Sequence, residues 1–330
     1  MSTPSVLILG AQGRFGSAAA HAFSAAGWRV FAQARRGDLN IPLTDTEALA
    51  DAARGARAVV YAVNPLYTRW DAEMLPLARA GMAVAERLGA TFMLPGNVYN
   101  FGEGMPARLD EATPERPTTA KGRLRVQLEA ELAERAASGL RSVVIRAGDF
   151  YGHGQGSWLD LLIAKKLQSG RLSYPGPLDV PHAWAYLPDL ARAFVRVAET
   201  TPEQMGARFE CLHFAGHTVT GHDWLAALTE VAWEQGWLPA DGALRTGTLP
   251  WGMMRLLSPF NATVASLLEM RYLWDVPHAL DGAALARRIG AEPHTPFLDA
   301  VRAAITQLDL APRAANSPGP GAGRPITQGV

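Results

Sequence analysis

Three residues of the segment RPTTAKGRLRVQLEAEL (116–132) stand where side chains could act together: Lys121, Arg125 and Glu129 recur at every fourth position. The apolar stripe Leu124, Leu128 and Leu132 predicts a helix, and a helix puts the three charges on one face. A lysine beside a second cation, and partly removed from water, gives up its proton more readily, so Lys121 could work as an acid or base. The same two cations could instead clamp phosphate and ribose groups. A solvated charge stripe is the plainest alternative, and the stretch itself leaves all three open.

The elements before this helix supply a ligand for such cations. LILGAQGRFG places Gly10, Gly13 and Gly16 after an apolar strand and at the start of an Ala-rich helix. Glycines there let the backbone turn tightly and approach a pyrophosphate, which the free N–H groups and dipole of the helix N-terminus then hold. Gln12, Arg14 and Phe15 complete the expected cofactor loop. After the second strand, AQARRGD carries Arg35 and Arg36 where an acid reading a ribose 2′-hydroxyl would sit. Paired guanidinium groups suit a 2′-phosphate, so NADP is favoured and NAD, through Asp38, is the alternative.

Short β-rich runs at 5–10, 28–35, 56–63, 91–99 and 141–150 alternate with helical stretches at 14–26, 43–55, 70–88 and the segment above. That alternation predicts a doubly wound α/β domain over 1–150, with a parallel sheet covered by helices on both faces. Residues 151–311 are less regular, with helices expected near 158–169, 188–199, 221–235 and 296–308. They are read as a smaller, mostly helical substrate lid, from which segments of roughly 182–216 return to the sheet. The Pro- and Gly-rich stretch 312–330 is read as a disordered tail.

Composition excludes several classes. Of 330 residues, 48% are apolar and 19% charged, an ordinary globular balance. The 31 basic residues are matched by 31 acidic ones, which speaks against a nucleic-acid partner. A single cysteine, Cys211, allows no intrachain disulfide, and neither a signal peptide nor a membrane span is evident. A cytoplasmic protein without a membrane partner is expected. His213, His217 and His222 tempt a metal reading, but extended residues four apart lie about 13 Å from each other. Donors must approach a metal to about 2 Å, so no metal is expected. Nucleophile-elbow and P-loop motifs are absent.

Taken together, GAQGRFG (10–16), LTDTEALADAARGARAVVYAV (43–63), NVYNFG (97–102), VVIRAGDFYGHG (143–154) and HAWAYLPDLARAF (182–194) resemble the extended short-chain dehydrogenase/reductase superfamily, in its NAD-dependent epimerase/dehydratase branch. DGAALARRIGAEPHTPFLDAVRAAI (281–305) resembles that family's closing segment. The resemblance implies a cofactor across the strand ends, lined by Ala62, Val63, Arg146, Ala147 and Gly148, with a small-molecule substrate between sheet and lid. It also implies a homodimer pairing the helices near 70–88 and 119–137. Such enzymes use a Ser or Thr before the strand-end tyrosine and a Tyr-x-x-x-Lys pair on the next helix. Here MLPGN offers no hydroxyl, while Lys121 and Arg125 occupy the Tyr and Lys positions, so this is an atypical member. KGRLR instead resembles the K-x-x-[apolar]-R helix of plant reductases of the isoflavone and phenylcoumaran ether type, which use one lysine as acid/base.

The expected function is therefore an NADP-binding oxidoreductase or epimerase-like protein acting on a small carbonyl or sugar-like substrate. Lys121 is its leading acid/base, assisted by Arg125 and by Asn97 as a carbonyl polariser. Asn64, Tyr99, Tyr151, His182 and Tyr186 are the substrate-facing candidates, with Tyr151 also suited to packing and Asp189 to starting a helix. A non-catalytic NADP sensor is the rival.

Overall fold

SVLIL at 5–9 is buried at every position, so it cannot face solvent on either side. A strand of that kind belongs at the centre of a parallel sheet with both faces covered. The computed structural model, which describes residues 3–36, 39–200, 207–308 and 310, places it there. The first elements are β1 (Ser5–Leu9), α1 (Arg14–Ala25), β2 (Arg29–Gln33), α2 (Thr46–Ala52), β3 (Ala58–Tyr61), α3 (Trp70–Leu88) and β4 (Thr91–Gly96). A short β5 (Arg108–Leu109) precedes α4 (Ala120–Ala137) and β6 (Arg141–Arg146).

The chain continues through β7 (Asp149–Tyr151), β8 (Arg171–Tyr174), β9 (His182–Tyr186), α5 (Leu187–Glu199), β10 (Phe209–His213), β11 (His217–Val219) and α6 (Gly221–Glu234). It closes with β12 (Arg245–Thr248), α7 (Trp251–Leu257), α8 (Ala262–Glu269), α9 (Tyr272–Asp275), β13 (Ala279–Leu280), α10 (Ala283–Ile289) and α11 (Phe297–Gln307).

Six parallel strands form the main sheet in the order β10-β6-β4-β3-β1-β2. One face packs on α2, α3 and α4, the other on α1, α5 and α10. The fold is a Rossmann-type doubly wound sheet with a helical C-terminal region. After β9, α5 packs on α1 and β10 extends the sheet edge, so this segment builds the layer of the first half. A third core of Tyr151, Tyr174, Trp184, Trp224 and Trp274 joins α6, α11 and the small sheet β11-β9-β7.

Two expectations need correction. The run 141–150 is not one strand: β6 ends at Arg146, and Asp149–Tyr151 pairs with β9 in a different sheet. Gly148 makes the crossing, because a Cβ there would overlap the Ala183 carbonyl. The helix expected at 158–169 is only a π-helical turn, Leu159–Ile163, and a 3-10 turn, Leu167–Ser169. The expected tail 312–330 lies outside the described residues.

Candidate active site

Each parallel strand ends at the same edge of the sheet, so the loops after β1, β3, β4 and β6 converge there. Gly10 turns the chain at φ +79°, and its N–H donates to the Gln33 backbone carbonyl and Oε1, both at 3.1 Å. A Cβ at Gly16 would overlap the Gly10 carbonyl, so only glycine lets α1 start this close to β1. No side chain caps α1 at Gly13, and its first turn has no acid. Those N–H groups and the helix dipole are left for an anion. Gln12 donates through Nε2 to the Arg36 carbonyl, tying the loop to the exposed Arg35–Arg36 turn. Asp38 lies outside the described residues.

A cleft of about 360 Å³ opens beside this loop. Gly13, Arg14 and Phe15 line it from α1; Ala62, Val63 and Asn64 follow β3; Asn97 and Tyr99 follow β4; Gly148 follows β6. A hollow of about 620 Å³ between α1 and α5 is larger, but it lies on their outer faces, away from the strand ends. Arg14 crosses the cleft to donate from Nη1 to the Phe150 carbonyl at 3.1 Å.

The charged stripe of α4 faces inward, and its three members part company. Lys121 is buried but does not line the cleft. Its ammonium pairs with Glu269 of α8, and the same carboxylate accepts the Lys121 backbone N–H at 3.2 Å. The expected acid/base and cofactor roles therefore meet a competing partner, supplied by an element 148 residues away. Arg125 does line the cleft, with its guanidinium 4.9 Å above the Trp70 ring, Nη1 3.4 Å from the Pro95 carbonyl and Nε without a partner. Glu129 turns to the opposite side and pairs with Arg146.

That pairing corrects the cofactor assignment of Arg146. It is buried beneath Glu115 and Glu129, its guanidinium 5.1 Å from the Phe101 ring, and does not line the cleft. Ala147 is also core. Among the substrate candidates, Tyr151 is fully buried, its hydroxyl 2.9 Å from His217 Nδ1, and Tyr186 packs on it at 5.4 Å between rings. Strand alternation explains both, because these side chains fall on the face turned to the lid core. His182 is 2% exposed and sits behind the cleft rather than in it. Asn97 lines the cleft, while its Oδ1 accepts the Tyr99 backbone N–H at 3.0 Å. Asp189 is buried and accepts from the Thr295 backbone at 2.6 Å.

The structure adds residues that sequence reasoning missed. Tyr67 lies in the 3-10 turn Tyr67–Arg69 after β3, and its hydroxyl is 2.8 Å from that of Tyr99. Burial raises the pKa of both phenols, that of Tyr99 well above the ordinary value. Both therefore keep their protons; one hydroxyl donates to the other, and the second is left to donate into the cleft. Burial also lowers the Arg125 pKa, against the pull of Tyr99 and Glu129. Asp149 and Trp70 complete the wall. An aromatic–polar run, YTRW, a few residues beyond a buried strand was the available signal for Tyr67 and Trp70.

Comparison with known proteins agrees with this geometry. The model of the NAD dependent epimerase/dehydratase family matches residues 6–209. No curated protein sequence matches the chain. Among solved structures, L-threonine dehydrogenase from Phytophthora infestans is similar at 15% identity with a TM-score of 0.70, covering 92% of this chain and 99% of that one. UDP-glucose 4-epimerase from Thermotoga maritima, solved with UDP-glucose, is similar at 16% and 0.68, covering 92% and 98%. The Thermus thermophilus UDP-glucose 4-epimerase complex with NAD follows at 18% and 0.65, covering 93% and 99%. With more than half its length matched by the family model, and with the glycine loop and strand-end cleft in place, the chain belongs to the NAD-dependent epimerase/dehydratase family.

Proposed function

We propose that the protein is an NADP-preferring oxidoreductase of epimerase/dehydratase type, acting on a small organic substrate with a carbonyl or sugar-like hydroxyl. One observation carries this reading: the uncapped start of α1 and the Arg125–Tyr67–Tyr99 group line the same cleft. Bound there, a nicotinamide dinucleotide supplies a hydride donor or acceptor. The first-turn N–H groups of α1 hold its pyrophosphate, and Arg35 and Arg36 take a 2′-phosphate. Arg125 stabilises charge that develops on a substrate oxygen, and the phenol pair donates one hydrogen bond to it, the other hydroxyl supporting the donor. Asn97 offers Nδ2, since its Oδ1 is committed to the Tyr99 backbone.

The sensor reading keeps one observation in its favour: Lys121, at the position of the family's usual acid/base, is held by Glu269. The resemblance also implies a homodimer through α3 and α4. Leu128 and Leu132 are buried within the protomer, so such a contact uses the exposed faces of the two helices.

Tryptophan fluorescence, with nine reporters, tests the cofactor by parallel titration with NADPH and NADH. NADPH should bind about tenfold or more tightly than NADH, and Arg35→Ala with Arg36→Ala should erase the difference. Equal binding removes the NADP preference; binding of neither removes the oxidoreductase reading.

A further inference from the structure

His182 is held between two hydrogen-bond acceptors. Its Nδ1 lies 3.1 Å from the Leu273 carbonyl, which can only accept, so Nδ1 carries a proton. Its Nε2 lies 2.9 Å from Asp149 Oδ2. A bare Nε2 would set its lone pair against a carboxylate, so that contact also needs a proton, carried by one partner or the other. The pair is asymmetric in exposure. His182 is enclosed, while Asp149 reaches the cleft wall with its side chain 18% exposed.

Aromatic and imidazole rings enclose the pair. The Trp274 ring stacks on the imidazole at 4.4 Å and 12°, a face that favours a cationic ring. His278, 4.5 Å from His182, is driven by burial and by that neighbour to about 3, so it stays neutral and adds no competing charge. The other titratable groups within electrostatic reach of Asp149 are Arg14, Tyr67, Tyr99, Tyr174 and Tyr272. The phenols stay neutral through burial, leaving Arg14 the one full charge among them.

We propose that Asp149 and His182 form a proton-holding pair that serves the cleft as acid and base for carbonyl reduction and alcohol oxidation. The proposal rests on the oxidoreductase reading and names its proton source. In reduction, the carbonyl carbon receives a hydride and its two electrons, the C=O π bond breaks, and the oxygen takes one proton from the pair through Asp149. The pair is left as a carboxylate facing a bare Nε2, an arrangement that recovers a proton from water at the cleft mouth. Alcohol oxidation runs the same transfers backwards. His182 is a positioning residue that acts through Asp149.

The test uses the full chain labelled with ¹⁵N-histidine, the His182 signals among eight histidines being assigned with His182→Gln. At neutral pH the His182–Asp149 contact should hold a proton, seen as an exchange-protected ring signal coupled to Nε2 and lost in Asp149→Asn. In parallel, NADPH-dependent reduction of 4-nitrobenzaldehyde and 9,10-phenanthrenequinone is followed. Asp149→Asn should lower kcat by about 100-fold or more, with NADPH affinity and KM within about twofold. His182→Gln can still donate to Asp149 but cannot relay a proton, so it should bind NADPH normally and flatten the pH profile of kcat. A singly protonated His182 with no proton in the contact overturns the proposal. So does Asp149→Asn with wild-type kcat, or a wild type that binds NADPH and reduces neither probe. Failure to bind NADPH or NADH sinks the oxidoreductase reading instead, while the ¹⁵N signals still decide whether the pair holds its proton.

Discussion

The groups around Arg125 and around Arg146 lie on either side of one helix face, yet they are closed in opposite ways. Arg146 meets two carboxylates, one of them as buried as itself, and does not line the cleft. Arg125 meets a carbonyl edge and an aromatic face, shares the cleft with two phenols, and keeps Nε without a partner. A buried cation that is fully paired is structural, and one that is partly paired beside a cavity is available for chemistry. Lys121 falls in the first group because Glu269 reaches it from the C-terminal region.

The contrast is broken most directly at Glu129. Glu129→Leu leaves Arg146 with only the half-exposed Glu115, and should cost about 3 kcal/mol in urea unfolding while sparing the cleft. A cost below about 1 kcal/mol would mean that Glu115 alone satisfies the guanidinium. Next in size is Gly16→Ala, whose added Cβ displaces the Gly10 carbonyl. Nucleotide affinity should fall about 100-fold, or about 2.7 kcal/mol, with the unfolding midpoint moving far less. Unchanged affinity would place the anion site elsewhere.

A third effect runs through pH. His278 is lowered from 6.5 to about 3 by burial and by His182, so the unfolded chain binds a proton there that the folded chain refuses. Its contribution is complete above about pH 6.5 and is lost as pH falls towards 3, amounting to about 2 kcal/mol at pH 5. Urea unfolding at pH 7 and pH 5 should show that loss, smaller in His278→Asn. An equal loss in the variant would assign it to His213 and His217, which burial also lowers. The smallest expected effect sharpens the comparison at Lys121. Lys121→Met should change NADPH affinity by less than about twofold, because its ammonium is turned to Glu269. A tenfold loss would return Lys121 to the cofactor site.

Local chemistry explains what could be read in advance. Gly10, Gly13 and Gly16 announce their loop because the φ of Gly10 and the contact of Gly16 with the turn depend on neighbours within six residues. The apolar runs of β1, β3 and β6 are legible for the same reason: burial on both faces leaves a continuous hydrophobic signature. The face shared by Lys121, Arg125 and Glu129 follows from helical periodicity alone. Which of the three would meet the cleft does not, since their partners Glu269 and Arg146 come from α8 and β6. The break at Gly148 is hidden likewise, because it exists only where β9 passes close by.

The chain order of residues thus determined the parallel sheet, the glycine loop, the two arginines after β2 and the shared face of the three charges of α4. Tertiary structure decided the Tyr67–Tyr99 pair, the exclusion of Lys121 and Arg146 from the cleft, and the contact of His182 with Asp149 across 33 positions. Periodicity and turn chemistry act over a few residues and are written in them. A charge acquires its role from the group that meets it, and here those groups arrive from distant strands and helices.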